Sequence, residues 1–226
     1  MMVIRGGIPA IVRNDAGCYE GNLVSYFQIL WNHAQNLNNP YHNFRHICHV
    51  LWLCHEACLY YTKYYPSELT LRQKRNLLIA ALFHDFDHTG KSGPDWMNIA
   101  IAMRAIDRFL LPEDRPYRMD ISRLVSFTEY PYAVGPEDLD LSALILRDAD
   151  MGQAFSVAWI QQVIFGLAAE WGKTPLEVVK MQGPFHEKVR FHTKWGQKMF
   201  PASDVRTKIN EATELLELLT TEPVLA

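Results

Sequence analysis

Apolar residues recur at spacings of three and four along most of the chain. Leu23, Val24, Phe27, Leu30 and Trp31 form one stripe, and Phe44, Ile47, Val50, Leu51, Cys54 and Cys58 form a second. An amphipathic helix shows this period along the face it buries. The same period predicts helices over Leu71 to about Phe86, Trp96 to Leu110, Met119 to Thr128, Leu139 to about Met151, Phe155 to Trp171, Thr174 to Gln182, Pro184 to Met199 and Ser203 to Thr220. Thr174, followed by Pro175 and Glu177, supplies an N-cap, a first-turn proline and the reciprocal glutamate of a capping box. Gly183 and Pro184 are expected to break that helix, because proline lacks the backbone donor that a helix interior uses. Strand alternation is nearly absent, and no internal repeat or linker-length loop interrupts the pattern. The expectation is an all-α fold, a compact multi-helix bundle of roughly nine or ten helices, with residues 1–226 forming a single domain.

Composition narrows the class of partner. The chain has 226 residues, of which 49% are hydrophobic and 21% charged, a balance sufficient for one sizeable core. Its 22 basic and 25 acidic residues leave a net charge of −3, so no long-range positive field favours a nucleic-acid backbone. A small-molecule partner is the better expectation, and the oligomeric state is left open. Cys18, Cys48, Cys54 and Cys58 form no CxxC pair, and three of them fall within one apolar helical stripe, where cysteine behaves as a small buried hydrophobe. The first residues lack a leader pattern, and no run of ~18 apolar residues occurs. A reduced, cytoplasmic protein without a membrane segment is therefore expected.

The candidate chemistry lies in three clusters. Five of the nine histidines fall between His33 and His55, and His42, His46 and His49 share a helix face if a helix begins near Tyr41. A second cluster, His84-Asp85-Phe86-Asp87-His88, ends the apolar stretch Leu77 to Phe83. A third, Arg147-Asp148-Ala149-Asp150, follows Leu144 to Leu146. Polar clusters that interrupt apolar helices need partners, since unpaired charge is costly near a core. Two imidazoles with two carboxylates form a mixed nitrogen and oxygen set suited to Zn, Fe or Mn, and a remaining carboxylate edge with water suits Mg or Mn. A metallohydrolase is the natural reading.

Two of these clusters carry a resemblance. Tyr41-His42-Asn43-Phe44-Arg45-His46 resembles the YHNxxH signature of cyclic nucleotide phosphodiesterases, and His84 to Gly90, HDFDHTG, is similar to their HDxxHPG signature. Both signatures occur in the wider HD-domain metal-dependent phosphohydrolase superfamily, whose last metal ligand is an aspartate in a context matched by Ala149-Asp150-Met151. The matches span residues 39 to 151. The resemblance implies a multi-helix bundle of the HD-domain/phosphodiesterase type and a two-metal-dependent phosphohydrolase acting on a cyclic nucleotide or similar phosphodiester. It implies that His46, His84, Asp85 and Asp150 bind the tighter ion, Zn, Fe or Mn. Asp85 would also reach a second ion, Mg or Mn. A hydroxide bridging the two ions would be the nucleophile, since metal binding lowers the pKa of water from ~15.7 toward ~7. His42 would protonate the departing alkoxide, His88 would hold a metal-bound water, and Thr128, in the run Ile121 to Pro131, would lie near the metals.

Departures from the family pattern accompany the matches. His49 stands where the family usually has aspartate, and Thr89 stands for the proline of HPG. Gln182 and Phe185 have the spacing of the family's base-reading glutamine and its phenylalanine clamp, though Gly183-Pro184 between them is equally the mark of a helix break. Trp159, Trp171 and Trp195 are read as core, His186 and His192 as surface residues, and Glu211, Glu214 and Glu217 as a solvated helix face. Gly90-Lys91-Ser92 imitates a phosphate-binding loop but lacks its first glycine, a position held by Asp85, so Lys91 is read as solvated. An HD-type nucleotidase or phosphomonoesterase, and a non-catalytic nucleotide-binding module, are the alternatives. A di-iron oxygenase would need more histidines between His84 and Asp150 than His88 alone.

Overall fold

Helical periodicity is realised throughout the computed structural model, which describes residues 7–221. The outermost residues of the expected single domain, including the start of the segment searched for a leader, lie outside the described residues. Eleven α-helices follow one another without a strand among the described residues: α1 Ile8–Arg13, α2 Val24–His33, α3 Phe44–Tyr64, α4 Leu71–Phe83, α5 Trp96–Phe109, α6 Arg118–Ser126, α7 Leu141–Met151, α8 Phe165–Trp171, α9 Pro175–Lys188, α10 Lys194–Met199 and α11 Ala202–Thr220. The all-α class is as expected. The predicted helix Phe155 to Trp171 is instead a 3₁₀ turn at Gly152–Phe155, a wide π turn at Ile160–Ile164 and then α8.

The centre of the fold is α4. Every residue from Lys74 to Phe83 is buried, so the helix is enclosed on all sides and carries no polar face over that length. Helices α2, α3, α5, α6 and α7 pack around it. Its start is secured by Thr70, whose hydroxyl accepts from the Gln73 N–H while Gln73 returns a bond to the Thr70 backbone. Its two buried cations are paired: Arg75 spans both Asp114 oxygens at 2.7 Å each, and Lys74 donates to Thr62 at 2.7 Å. Full burial of Leu77, Leu78, Ile79, Leu82 and Phe83 contributes ~1.5–3 kcal/mol per side chain, so this helix is held by packing and places its C-terminal residues firmly.

A second, smaller apolar cluster is built by Trp159, Val163, Ile164, Leu167, Ala168, Val178, Val179 and Ala212. Here α9 differs from expectation, running through Pro184 as far as Lys188. Proline withholds its own N–H and crowds the carbonyl four residues back, but α9 is packed against α11 and α8, so tertiary contacts carry the helix past it. The chain turns instead after Lys188, where the buried Asp148 carboxylate accepts from the His192 and Thr193 amides at 3.0 and 2.9 Å and from the Thr193 hydroxyl at 2.7 Å. His186 is also corrected: it is fully buried between Phe155 and Trp159. Trp159 and Trp195 are core as expected, and Trp171 packs half-buried against the smaller cluster while also lining a cleft. All four cysteines are unpaired, and no described helix is long and apolar enough to cross a membrane.

Candidate active site

The ends of three helices meet at one point. The Asn43 side chain caps α3 by accepting from the Arg45 and His46 amides at 2.9 and 3.1 Å, and its amide group donates to the Asn39 and Pro40 carbonyls. The asparagine of YHNxxH thus has a physical role, starting the helix and folding the preceding loop so that His42 and His46 face the same space. His84 stands at the C-terminal end of α4 with Asp85 just beyond it, and Asp150 lies in the last turn of α7.

His46, His84, Asp85 and Asp150 converge. The His46 Nε2 lies 3.1 Å from Asp150 Oδ1, 3.2 Å from Asp85 Oδ2 and 3.3 Å from His84 Nε2, while His84 Nε2 lies 3.3 Å from Asp85 Oδ2 and 3.7 Å from Asp150 Oδ1. Donors around a cation held at ~2.0–2.2 Å sit about 2.8–3.6 Å apart, so these separations suit a shared ion. The outward nitrogens are already committed: His84 Nδ1 donates to the Ala81 carbonyl at 2.9 Å, and His46 Nδ1 donates to Gln153 Oε1. Bonds of this kind turn the Nε2 lone pairs inward, as they do for metal-ligating histidines.

Asp85 Oδ2 is buried without a hydrogen-bond partner. Two facing lone pairs and an orphaned carboxylate oxygen form a donor set that fits a divalent cation. Electrostatics agree. Burial opposes a proton on His46, yet Asp150 and Asp85 raise its pKa to about 10, so the proton held on Nε2 between them is the one a bound ion would displace. Burial likewise opposes ionisation of Asp85 and Asp150, but the facing histidines hold both well below the usual carboxylate range. The pocket therefore favours positive charge at its centre. His46, His84 and Asp150 are one group that could hold a metal ion. Asp148, the other carboxylate of its cluster, is turned away to hold the loop before α10.

His42 is held apart from this centre. Its Nδ1 lies 2.7 Å from Glu170 Oε2, and Glu170 Oε1 accepts from the Tyr41 and His42 amides at 2.9 and 2.8 Å. The Glu170 side chain is only 1% exposed. Burial would raise its pKa, but these bonds, led by that from His42, lower it. The His88 ring stacks on His42 with centroids 3.6 Å apart, and burial lowers the His88 pKa to about 4, so it is a neutral face. Its Nδ1 accepts from the Gly90 amide at 3.0 Å. Thr128 is buried and donates to the Val125 carbonyl.

A cleft of about 820 Å³ opens onto these groups. His42, His46, Asp85, His88, Thr128 and Asp150 lie along it, and Gln182 and Phe185 of α9 line it too. Gln182 is not a bare ligand: its Oε1 accepts from the Trp159 indole at 3.0 Å and its Nε2 donates to Val178 at 3.3 Å, leaving one N–H and one lone pair.

Several supporting residues were invisible to motif reading. Asn36 is buried and joins the two motif loops, donating to the His42 and Asp85 carbonyls at 2.9 and 2.7 Å and accepting from the Asp87 amide at 3.0 Å. Gln153 orients His46, and Glu170 orients His42. Gln153 and Glu170 are lone polar residues among apolar neighbours and Asn36 lies in the polar loop Gln35 to Asn39, so none belongs to a recognisable motif.

The family model for 3'5'-cyclic nucleotide phosphodiesterases matches residues 41–94. That segment carries His42, His46, His84, Asp85 and His88 and stops short of Asp150, Glu170 and Gln182. Over it the chain resembles the cyclic nucleotide phosphodiesterases and their HD-type relatives, and the match supports a phosphodiesterase-type hydrolase. No curated protein matches the chain.

Proposed function

We propose that the chain is, as one catalytic unit, a metal-dependent phosphodiesterase that hydrolyses a cyclic nucleotide or a similar compact phosphodiester. The observation that carries this is the convergence of His46, His84, Asp85 and Asp150 beside a histidine, His42, that is oriented by the Glu170 carboxylate and falls in a separate group with His88 and Glu170. The four would hold the tighter ion, Zn, Fe or Mn, with Asp85 offering the unpartnered Oδ2 that faces both histidines, and Asp85 would also reach a second ion, Mg or Mn. Ions held there would polarise a phosphoryl oxygen and make water a nucleophile near neutral pH.

The chain's own residues perform the rest. A departing alkoxide is a poor leaving group and needs a proton as the P–O bond lengthens. His42 supplies it from Nε2, because Nδ1 is turned toward Glu170. The Glu170 carboxylate fixes the tautomer and stabilises the imidazolium before transfer, the part a buried aspartate plays toward histidine in hydrolytic triads. His88, neutral and flat against His42, limits its rotation and excludes water from one face. Gln182 and Phe185 would bind the base, one by its remaining amide edge and the other by its ring.

Partial commitment of the Gln182 amide keeps a second reading in view, a nucleotidase of the same chemistry with little base selection. Metal analysis of the purified protein and turnover of a panel of cyclic nucleotides and nucleoside monophosphates test both. Cyclic substrates should be hydrolysed in the presence of Mn or Mg. A protein that retains no divalent metal and turns over neither class would overturn both readings and leave a binding module.

A further inference from the structure

Four lysines line the cleft. Lys91 comes from the loop after the HD segment, Lys173 from the turn before α9, and Lys180 and Lys188 from α9 itself. All four are exposed, and among the described residues none is held in an ion pair, in contrast to Lys194 and Lys208, which pair with Glu68 and Glu211. The carboxylates lining the same space are Asp85, Asp95 and Asp150. Two of these belong to the metal cluster, and Asp95 is engaged by the Tyr130 amide at 2.8 Å and by Asn98. The lining thus sets four lysines against three carboxylates, with Glu177 outside it near Lys173 and Lys180, a local excess of cations in a chain whose net charge is −3.

A cyclic mononucleotide bears a single negative charge, which divalent ions at the base of the cleft would already satisfy. The lysines share the lining of the cleft with Trp171, Met181, Pro184 and Phe185, apolar surfaces suited to a flat base. A low-dielectric wall rimmed by like charges concentrates the field on a ligand lying in the cleft. The geometry points to a substrate class narrower than the proposed function states: a nucleotide phosphodiester carrying at least one phosphate besides the scissile one. This rests on the phosphodiesterase reading above. The reaction itself is unchanged: oxygen from water joins phosphorus, the scissile P–O bond breaks, and the alkoxide takes a proton.

Two ligands sharing a base and a ribose test the idea in Mn-loaded protein by calorimetry. Adenosine 3′,5′-bisphosphate has one more phosphomonoester than 5′-AMP, worth about −1.5 to −2 in charge at neutral pH. It should bind at least ~10-fold more tightly, and the gap should shrink as salt rises from ~50 to ~300 mM, where screening shortens. The double variant Lys180→Glu/Lys188→Glu, altered only at exposed positions, should reduce the gap to within about twofold, which separates lysine contacts from coordination of the extra phosphate by the ion. Equal affinities in the unaltered protein, or a gap that survives both salt and charge reversal, would overturn the inference. Turnover of bis-p-nitrophenyl phosphate is measured in parallel. Its absence counts against the phosphodiesterase reading, whereas the affinity gap reports on the cleft independently.

Discussion

The pairing of His42 with Glu170 makes a prediction that separates acid catalysis from metal binding. Glu170 accepts three bonds with a buried carboxylate, at 2.7, 2.8 and 2.9 Å. In Glu170→Gln the amide oxygen can still accept from the two backbone N–H groups, but the amide nitrogen then faces His42 Nδ1 and cannot accept its proton. The imidazole loses a bond to a charged partner, worth ~1.5–3 kcal/mol. If that bond is realised with His42 protonated, kcat should fall ~10–10²-fold on a substrate with an alkoxide leaving group. His42→Ala should cost more, ~10²–10⁴-fold, and the double variant should lose little beyond His42→Ala, because the two residues act as a unit. Metal content should stay near wild type in all three. A nitrophenolate leaving group needs little proton donation, so each variant should lose far less on bis-p-nitrophenyl phosphate. Steady-state kinetics on the two substrates with metal analysis checks this. Equal losses on both substrates, or loss of metal from His42→Ala, would refute the assignment of His42 as the acid and Glu170 as its positioning residue.

Three further outcomes follow from the same geometry. Asp85→Ala should abolish turnover and lower bound metal while leaving the helical circular dichroism intact, since the core is apolar packing; an active, well-folded variant would remove the two-metal scheme. Asp148→Ala should destabilise the protein by ~2–4 kcal/mol, because three donors at the loop before α10 lose their acceptor, yet keep its metal; loss of metal would show that Asp148 rather than Asp150 is the ligand. Finally, burial lowers the pKa of both His55 and His186 from 6.5 to about 4. Their contribution is complete above pH ~6.5 and is lost as pH falls toward ~4, because the unfolded chain binds the protons first, a loss of about 2 kcal/mol each by pH 5. Urea midpoints at pH 7 and pH 5 should therefore differ, with a shallower dependence in His55→Leu; an unchanged dependence would place His55 in contact with solvent.

What could be read from the sequence was what local chemistry encodes. The helix period, the Thr174 capping box and the motif around Asn43 each act within four residues, and each is found in the fold. The metal-centre candidates were legible for the same reason, since they sit at helix ends where polar residues interrupt apolar runs. What failed was set by distant contacts. Pro184 does not end α9 because α8 and α11 hold the helix together, and His186 is buried because Phe155 and Trp159 enclose it. Glu170 gave no signal because its partner lies 128 residues earlier in the chain.

That long-range contact also explains how the site is assembled. His46, His84, Asp85 and Asp150 project from helices packed into the larger apolar cluster, whereas Glu170 lies on α8, which builds the smaller one. The two meet where Gly166 of α8 lies against the chain before α3, so close that a Cβ there would come within 2.9 Å of the Pro40 carbonyl and 3.1 Å of Tyr41 Cβ. One turn further along α8, Glu170 takes the Tyr41 and His42 amides. The proposed metal ligands can therefore come together within one cluster, but His42, the proposed acid, meets Glu170 only when both clusters are docked. Disturbing α8 should uncouple proton donation from metal binding, the separation that the leaving-group comparison detects.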